Sequence, residues 1–294
     1  MDEREALDRL AAAIPAAGDD AAVVDDLVVT TDMLHERTDF PEGTTRDTAG
    51  WRAVGASLSD VAAMGADATA AVAAYGAPEF AADDLLRFVR GARDVCDAVG
   101  AEYVGGDLDD HGEFTVATTA VGRLDGDAEA VTRAGAEPGQ AVCVTGELGR
   151  TAAALALFDR GAVERADELF RFPPRVASGG ALRRRATAML DSSDGLARSL
   201  HQLADASDCG VAVSWGALPV HPAVGDVADS EAEHRELAAH VGEDFELICA
   251  IPEEALGDAR RACPADLTRI GSTVESGVTA DGDPLPDRGY DHGE

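Results

Sequence analysis

Apolar side chains at Leu7, Leu10, Ala11 and Ile14 recur every three to four residues, the spacing of one face of a helix. Two short apolar runs follow at 21–24 and 27–31, separated by Asp25 and Asp26, and their length and bounding turn residues predict the strands of a hairpin. The pattern then predicts a helix over about 48–64, a strand over 69–75, a helix over 82–99, and strands over 102–104 and 114–121. Helices and strands that alternate in this way describe an α/β unit.

Residues 134–140, Ala-Gly-Ala-Glu-Pro-Gly-Gln, have the glycine and proline content of a connector, and a fresh strand is predicted over 141–144. Beyond it the pattern predicts helices over 150–158, 175–186, 196–206 and 231–240, with strands over 188–190, 211–213, 245–251 and 267–270. The fold class expected is α/β (α+β) in two domains, 1–130 and 131–294. A chain of 294 residues that is 46% hydrophobic can bury a core in each.

Charge changes the picture more than composition does. Against 56 acidic residues stand 24 basic ones, a net charge of −32, and the basic residues are all arginine. Without a lysine ε-amine there is no complete phosphate-binding P-loop and no Schiff-base chemistry. A surface of this sign repels nucleic acid and anionic lipid, so neither is an expected partner. Carboxylate spread along the whole chain fits hydration in a very salty cytoplasm, and the regular Val, Leu and Ala runs argue against disorder. The five cysteines, Cys96, Cys143, Cys209, Cys249 and Cys263, show no Cys-x-x-Cys and are expected as reduced thiols in a cytosolic protein. Asp2, Glu3 and Glu5 do not make a signal peptide, and no apolar run reaches the roughly 18 residues of a membrane span. The expected location is cytoplasmic.

In so acidic a chain, paired aspartates such as Asp25–Asp26, Asp83–Asp84 and Asp109–Asp110 are expected as solvated surface. Five places differ in context. Asp19 and Asp20 follow Gly18 and precede a strand; Asp32 closes one apolar run and Asp107 another; Asp191 and Asp194 flank Ser192 and Ser193 after a third. Carboxylates at strand ends can converge on one crevice, where α/β sheets bind ligands. Asp60 is the only charged residue between Ala53 and Ala66, on a predicted helix whose Trp51, Val54, Leu58 and Val61 form an apolar stripe. An ionised group there needs a cation or donors. Oxygen ligands without histidine or cysteine select Mg²⁺ over zinc, and magnesium sites commonly join carboxylates to phosphates. Ser193 lies in a loop that opens a helix, a place that favours phosphate, although ordinary capping by Ser or Asp is the alternative. Arg133, just before the connector, has the reach of a phosphate ligand, a surface ion pair being the alternative.

Taken in order, Gly18-Asp19-Asp20-Ala21, Thr30-Thr31-Asp32-Met33-Leu34, the run 57–66, Gly105-Gly106-Asp107, Thr132-Arg133, Asp191-Ser192-Ser193-Asp194-Gly195-Leu196 and Gly242-Glu243-Asp244-Phe245-Glu246-Leu247 resemble the thiamine-monophosphate kinase family, of the aminoimidazole-ribonucleotide-synthetase-like superfamily. The run 57–66 and residues 242–247 carry the specificity of the match. The resemblance implies a homodimer of two-domain subunits that use ATP to phosphorylate thiamine monophosphate to thiamine diphosphate. It implies Asp20, Thr30, Thr31, Asp32, Asp60, Asp107, Asp191 and Asp194 as magnesium ligands, with Asp60 and Asp194 as the essential metal-organising pair. It also implies Gly106, Asp107, Arg133 and Ser193 at ATP, and Glu243 at the thiamine substrate. No single general base is implied, because the acceptor is a phosphate oxygen.

Two positions depart from the family pattern, both on the thiamine side. Asp39 stands before Phe40 where many members place a histidine, and Gly293 follows Tyr290-Asp291-His292 where an aromatic is common. His35 or Tyr290 are candidates to compensate. An aminoimidazole-ribonucleotide-synthetase-like enzyme is the nearest catalytic alternative, and a catalytically silent nucleotide- or metal-binding regulator is the alternative of another class.

Overall fold

The computed structural model describes residues 9, 10, 13, 14, 17–126 and 128–290. Of the predicted first helix, Arg9, Leu10 and Ala13 are helical, while Leu7 and Ala11 lie outside the described residues, as do Asp291 and His292.

The first half runs β1 (Ala22–Val24), β2 (Leu27–His35), a short α1 (Glu36–Asp39), α2 (Arg46–Ala63), β3 (Asp67–Ala77), α3 (Ala82–Val99), β4 (Glu102–Asp110) and β5 (Thr115–Arg123). The sheet order is β1-β2-β5-β3-β4; β3 and β4 are parallel across α3, and the other pairs are antiparallel. Because strand side chains alternate, Val28, Thr118, Ala73 and Tyr75 face α2 and α3 and are buried. The two helices pack closely through glycine: a Cβ at Gly50 would stand 2.1 Å from the Phe88 carbonyl oxygen, and one at Gly91 1.8 Å from that of Asp47. Tyr75, Phe88 and Phe114 fill the layer between helices and sheet, with ring centroids 5.0–6.1 Å apart. Among the described residues no helix covers the other face, where Met33 and Val72 are exposed.

Residues 124–140 lead to the second half: β6 (Ala141–Thr145), α4 (Arg150–Asp159), α5 (Val163–Phe170), α6 (Val176–Leu182), β7 (Ala188–Asp191), α7 (Leu196–Ala206), β8 (Gly210–Val213), α8 (Pro222–Val227), α9 (Glu231–Ala239), β9 (Leu247–Ile251), α10 (Glu253–Ala262), β10 (Leu267–Val274), β11 (Val278–Ala280) and β12 (Asp283–Pro284). Its sheet has the order β12-β11-β8-β10-β6-β9-β7. Strands β6 and β9, and β7 at the edge of the sheet, are buried on both faces, which is why they appear in the sequence as apolar runs. Cys143, Met189 and Cys249 join the core shared with the first half; Val142, Leu190 and Ile248 join a second core with Leu196 and Leu200 of α7.

Several expectations need correction. Asp32 and Asp107 do not close their strands. The β2 ladder with β5 runs on to His35↔Thr115, and β4 pairs with β3 as far as Asp110, because backbone hydrogen bonds continue where apolar side chains stop. The strand expected from 245 begins at Leu247, since Glu243 (φ +66°) and Phe245 (φ +53°) hold a left-handed loop. The helix expected over 175–186 ends at Leu182. Helices α5, α8 and α10 and strands β11 and β12 were not expected. All five cysteines are free, and four of them are buried. Among the described residues, no helix is long and apolar enough to cross a membrane.

Candidate active site

Helix α2 builds most of the site. It starts at a Thr45 N-cap, whose side chain accepts the Thr48 N–H, and buries nearly its whole length between the N-terminal sheet and the second half of the chain. Three of its residues in the run 57–60 meet acids or hydroxyls across that packing. Ser57 Oγ donates to Asp32 on β2 (2.6 Å), Ser59 Oγ to Asp191 at the end of β7 (2.6 Å), and Asp60 accepts from Thr30 Oγ1 (2.5 Å). Ser59 thereby joins the two halves, and Ser57 extends to Thr118 at 2.7 Å. Neither serine stood out by residue type; both lie within the run that carries the family resemblance.

Asp20, Asp60 and Asp191 each offer a carboxylate oxygen within 4.8 Å of the others. Asp20 comes from the loop before β1, Asp60 from α2 and Asp191 from the C-terminal sheet, so the group sits in the crevice between the halves. Arg133, from the connecting stretch, donates to Asp20 at 2.7 Å, and its backbone N–H reaches Asp19. One arginine does not balance this crowd. Burial, then the charges of Asp32, Asp191 and Asp20, hold the Asp60 carboxyl well above its ordinary range. Burial, then Asp20, pushes Asp191 up to about 7 and Asp19 up to about 6, and burial raises Asp32. Like charges stripped of water in one place either take up protons or receive a cation. The donors are all oxygen, which suits a hard divalent ion of the magnesium class.

Two loops from the second half close the crevice. Residues 192–195 lead into α7, whose N-cap is Gly195 (φ +99°) with no side-chain cap. The expected alternative of ordinary Ser or Asp capping is therefore not what this helix shows. Ser193 donates its N–H to Asp191 at 3.2 Å and accepts that of Glu243 at 2.6 Å. Asp194 lies outside the three-carboxylate group and accepts from Gln202 at 3.4 Å. In the loop 242–246, Asp244 accepts the N–H groups of Gly149 and Thr151 at the start of α4, and burial pushes it up to about 7. Glu246 takes Arg175 in a two-point pair at 2.5 and 2.6 Å. Arg52 of α2 donates to Glu243 at 2.7 Å.

Other expected residues stand apart. The register Met33↔Ala117↔Ala74↔Asp107 puts Asp107 on the uncovered sheet face, opposite Asp32 and Thr118. Thr31 alternates onto that same face, its hydroxyl donating to the Thr118 carbonyl at 2.8 Å. Gly106 packs so closely on β3 that a Cβ would stand 1.7 Å from the Ala73 carbonyl oxygen. Asp39 is buried and accepts from the His35 N–H (2.6 Å), Thr38 (2.9 Å) and the Tyr290 hydroxyl (3.4 Å), while His35 contacts Thr115 at 3.1 Å. Asp39, which departs from the family pattern, thus meets Tyr290, one of the two residues expected to compensate for that departure.

Two α/β halves with a buried acidic group between them define a class. The family model for the AIR synthase related protein N-terminal domain matches residues 18–124, and that for the C-terminal domain matches residues 137–282. Within that class the chain belongs to the thiamine-monophosphate kinase family. It is 61% identical over 99% of its length to the thiamine-monophosphate kinase of Halobacterium salinarum, covering 100% of that protein, and 40% identical to that of Methanospirillum hungatei, covering 99% of each. The solved structure of AaThiL complexed with AMPPCP and TMP superposes with a TM-score of 0.89 at 27% identity, covering 99% of this chain and 97% of that one. The hydrogenase maturation protein HypE, at 21% identity and a TM-score of 0.73 over 94% of this chain and 93% of that one, shares the fold alone.

Proposed function

We propose that this chain transfers the terminal phosphoryl group of ATP directly and in line to thiamine monophosphate, giving ADP and thiamine diphosphate, with magnesium ions in the crevice. The observation that carries the reading is the close group of Asp20, Asp60 and Asp191, the last of them buried and the first two partly so, held by both halves of the chain at one point. Relatives named thiamine-monophosphate kinase along the full chain, and the AaThiL complex with an ATP analogue and TMP, support the choice of substrates.

Asp20, Asp32, Asp60 and Asp191 would hold the metal, with Thr30 orienting Asp60 and Ser59 orienting Asp191. Bound there, magnesium supplies charge neutralisation and alignment of the two phosphate groups. Arg133, paired with Asp20, would offer a cation to a phosphate oxygen, and the loop of Ser193 and Asp194 leads into the start of α7. The acceptor oxygen is already deprotonated near neutral pH, so the residues orient and exclude water rather than move a proton. Glu243 and Asp39 mark the acceptor end.

Asp107 and Gly106 fit this scheme through a homodimer. Asp107 lies on the uncovered face with Met33 and Val72, the face on which a second copy would seat. The division between the halves is placed near residue 130, within the stretch that joins the two sheets. The acidity of the surface fits work in a salty cytoplasm.

Purified protein incubated with ATP, Mg²⁺ and thiamine monophosphate in molar KCl is expected to yield thiamine diphosphate on chromatography and to elute as a dimer. A folded sample that consumes no ATP and forms no product sinks the reading.

A further inference from the structure

Arg52 is the most thoroughly enclosed cation in the crevice wall, with 3% of its side chain exposed. A guanidinium without water must be matched donor by donor. Nη1 donates to the Phe170 carbonyl at 2.6 Å and Nη2 to Glu243 Oε2 at 2.7 Å. The Phe170 ring lies 3.6 Å from the guanidinium carbon, with Phe172 at 5.4 Å and Phe245 at 5.9 Å. Phe172 and Phe245 stack on each other at 4.2 Å, which closes the pocket around the fork. Held by aromatic faces and two acceptors, the guanidinium cannot swing away.

Its partner is different. Glu243 keeps 20% of its side chain exposed and stands at φ +66°, an uncommon place for a residue with a side chain. That backbone is fixed by the Glu243 N–H donating to Ser193 and by Thr151 Oγ1 donating to the Glu243 carbonyl at 2.7 Å. A Cβ at Gly242 would stand 2.2 Å from the Ser193 carbonyl oxygen, so the loop lies directly on the loop of Ser193. A pair formed only for stability would bury both ends. Here one end is sealed, while the other keeps part of its side chain exposed on the loop that lies against the loop of Ser193, and a non-glycine residue held at positive φ is a mark of function.

We propose that Arg52 is a positioning residue of the acceptor end: it fixes the Glu243 carboxylate where the amine and cationic ring edges of thiamine monophosphate meet it. Arg52 is carried by the helix that also carries Ser57, Ser59 and Asp60, so one rigid element sets both the metal group and the acceptor carboxylate. This rests on the proposed kinase activity.

The test compares Arg52→Met, Arg52→Lys, Glu243→Gln and the Arg52→Met/Glu243→Gln double variant in molar KCl. Steady-state kinetics are measured together with calorimetric binding of thiamine monophosphate and of AMPPCP with Mg²⁺. The expected result for Arg52→Met is at least a tenfold rise in KM and Kd for thiamine monophosphate, with KM for ATP and Kd for AMPPCP within twofold. Arg52→Lys recovers part of the loss, and the double variant is no worse than Glu243→Gln alone. Equal losses for both substrates, additive losses in the double variant, or unfolding of both Arg52 variants by circular dichroism overturn the proposal and leave Arg52 an architectural staple. A wild type that binds thiamine monophosphate without turnover defeats the kinase reading alone, and the Kd values then decide Arg52. A wild type that binds none defeats both.

Discussion

The two ends of the crevice handle buried carboxylate in opposite ways. At one end Asp20, Asp60 and Asp191 crowd together with hydroxyls and a single arginine for company, and burial holds Asp60 and Asp191 far above their ordinary range. At the other end burial raises Asp244 to about 7 as well, yet each acid has its match: Glu243 has Arg52, Glu246 has Arg175 on two points, and Asp244 has two backbone N–H groups. The first arrangement is incomplete without a cation, whereas the second is complete within the chain. A buried charge that is paired and hydrogen-bonded holds structure in place, while an unpaired cluster stores repulsion that a ligand can release.

The largest expected effect tests the incomplete end. Asp60→Asn removes one ligand and one of the repelling charges, so turnover is expected to fall by at least about 10²- to 10³-fold, the scale for loss of a preorganised electrostatic group. The same variant without metal is expected to melt higher than wild type, because repulsion is relieved while an amide oxygen can still accept from the Thr30 hydroxyl. Near-native turnover, or a lower metal-free melting temperature, erases the contrast.

Glu246→Gln tests the complete end and carries the opposite sign for stability. Arg175 would lose its two-point carboxylate partner and face an amide NH2 in place of one oxygen, at a site where Glu246 is buried. Stability is expected to fall by about 2 kcal/mol, with and without Mg²⁺, below the full cost of a broken buried pair because Arg175 keeps some contact with water. Denaturant melts in molar KCl measure it, and a loss confined to the metal-bound state would place Glu246 with the metal group instead.

The smallest effect is a pH dependence. Asp19 (about 6), Asp191 (about 7) and Asp60 are raised in the folded chain, so the unfolded chain releases their protons first. Between about pH 4 and 7 the unfolded state binds fewer protons, and metal-free stability falls as pH rises. Magnesium competes with those protons, so the melting-temperature gain from Mg²⁺ is expected to grow from pH 5 to pH 8. A gain that is flat across that range would show that the acids are already ionised without metal.

Much of the architecture was legible along the chain. Helices over 82–99 and 196–206 coincide with α3 and α7, because an apolar stripe with polar flanks needs only local spacing to declare itself. Helices α5, α8 and α10 escaped notice; they are short, and α10 presents just Leu256 and Ala259 to the core. Asp60 was visible as the one charge between Ala53 and Ala66, and the crevice explains it. Arg52 was not visible, since an arginine at the start of an apolar stripe looks like a solvated flank until Phe170, Phe172 and Phe245 are folded around it.

What the sequence determined by itself was periodicity, sign of charge and motif: two α/β halves, a strongly acidic chain, and acidic segments with a family's spacing. Tertiary structure alone decided which acids meet. Asp20, Asp60 and Asp191 lie far apart along the chain, and nothing local brings them within 4.8 Å; that takes α2 packed between the N-terminal sheet and β7. It also turned Asp107 onto the opposite sheet face from Asp32, through strand alternation and register together. The physical reason is the range of the forces: hydrophobic spacing is written over three or four residues, whereas the convergence of charges depends on long-range packing that only the folded chain supplies.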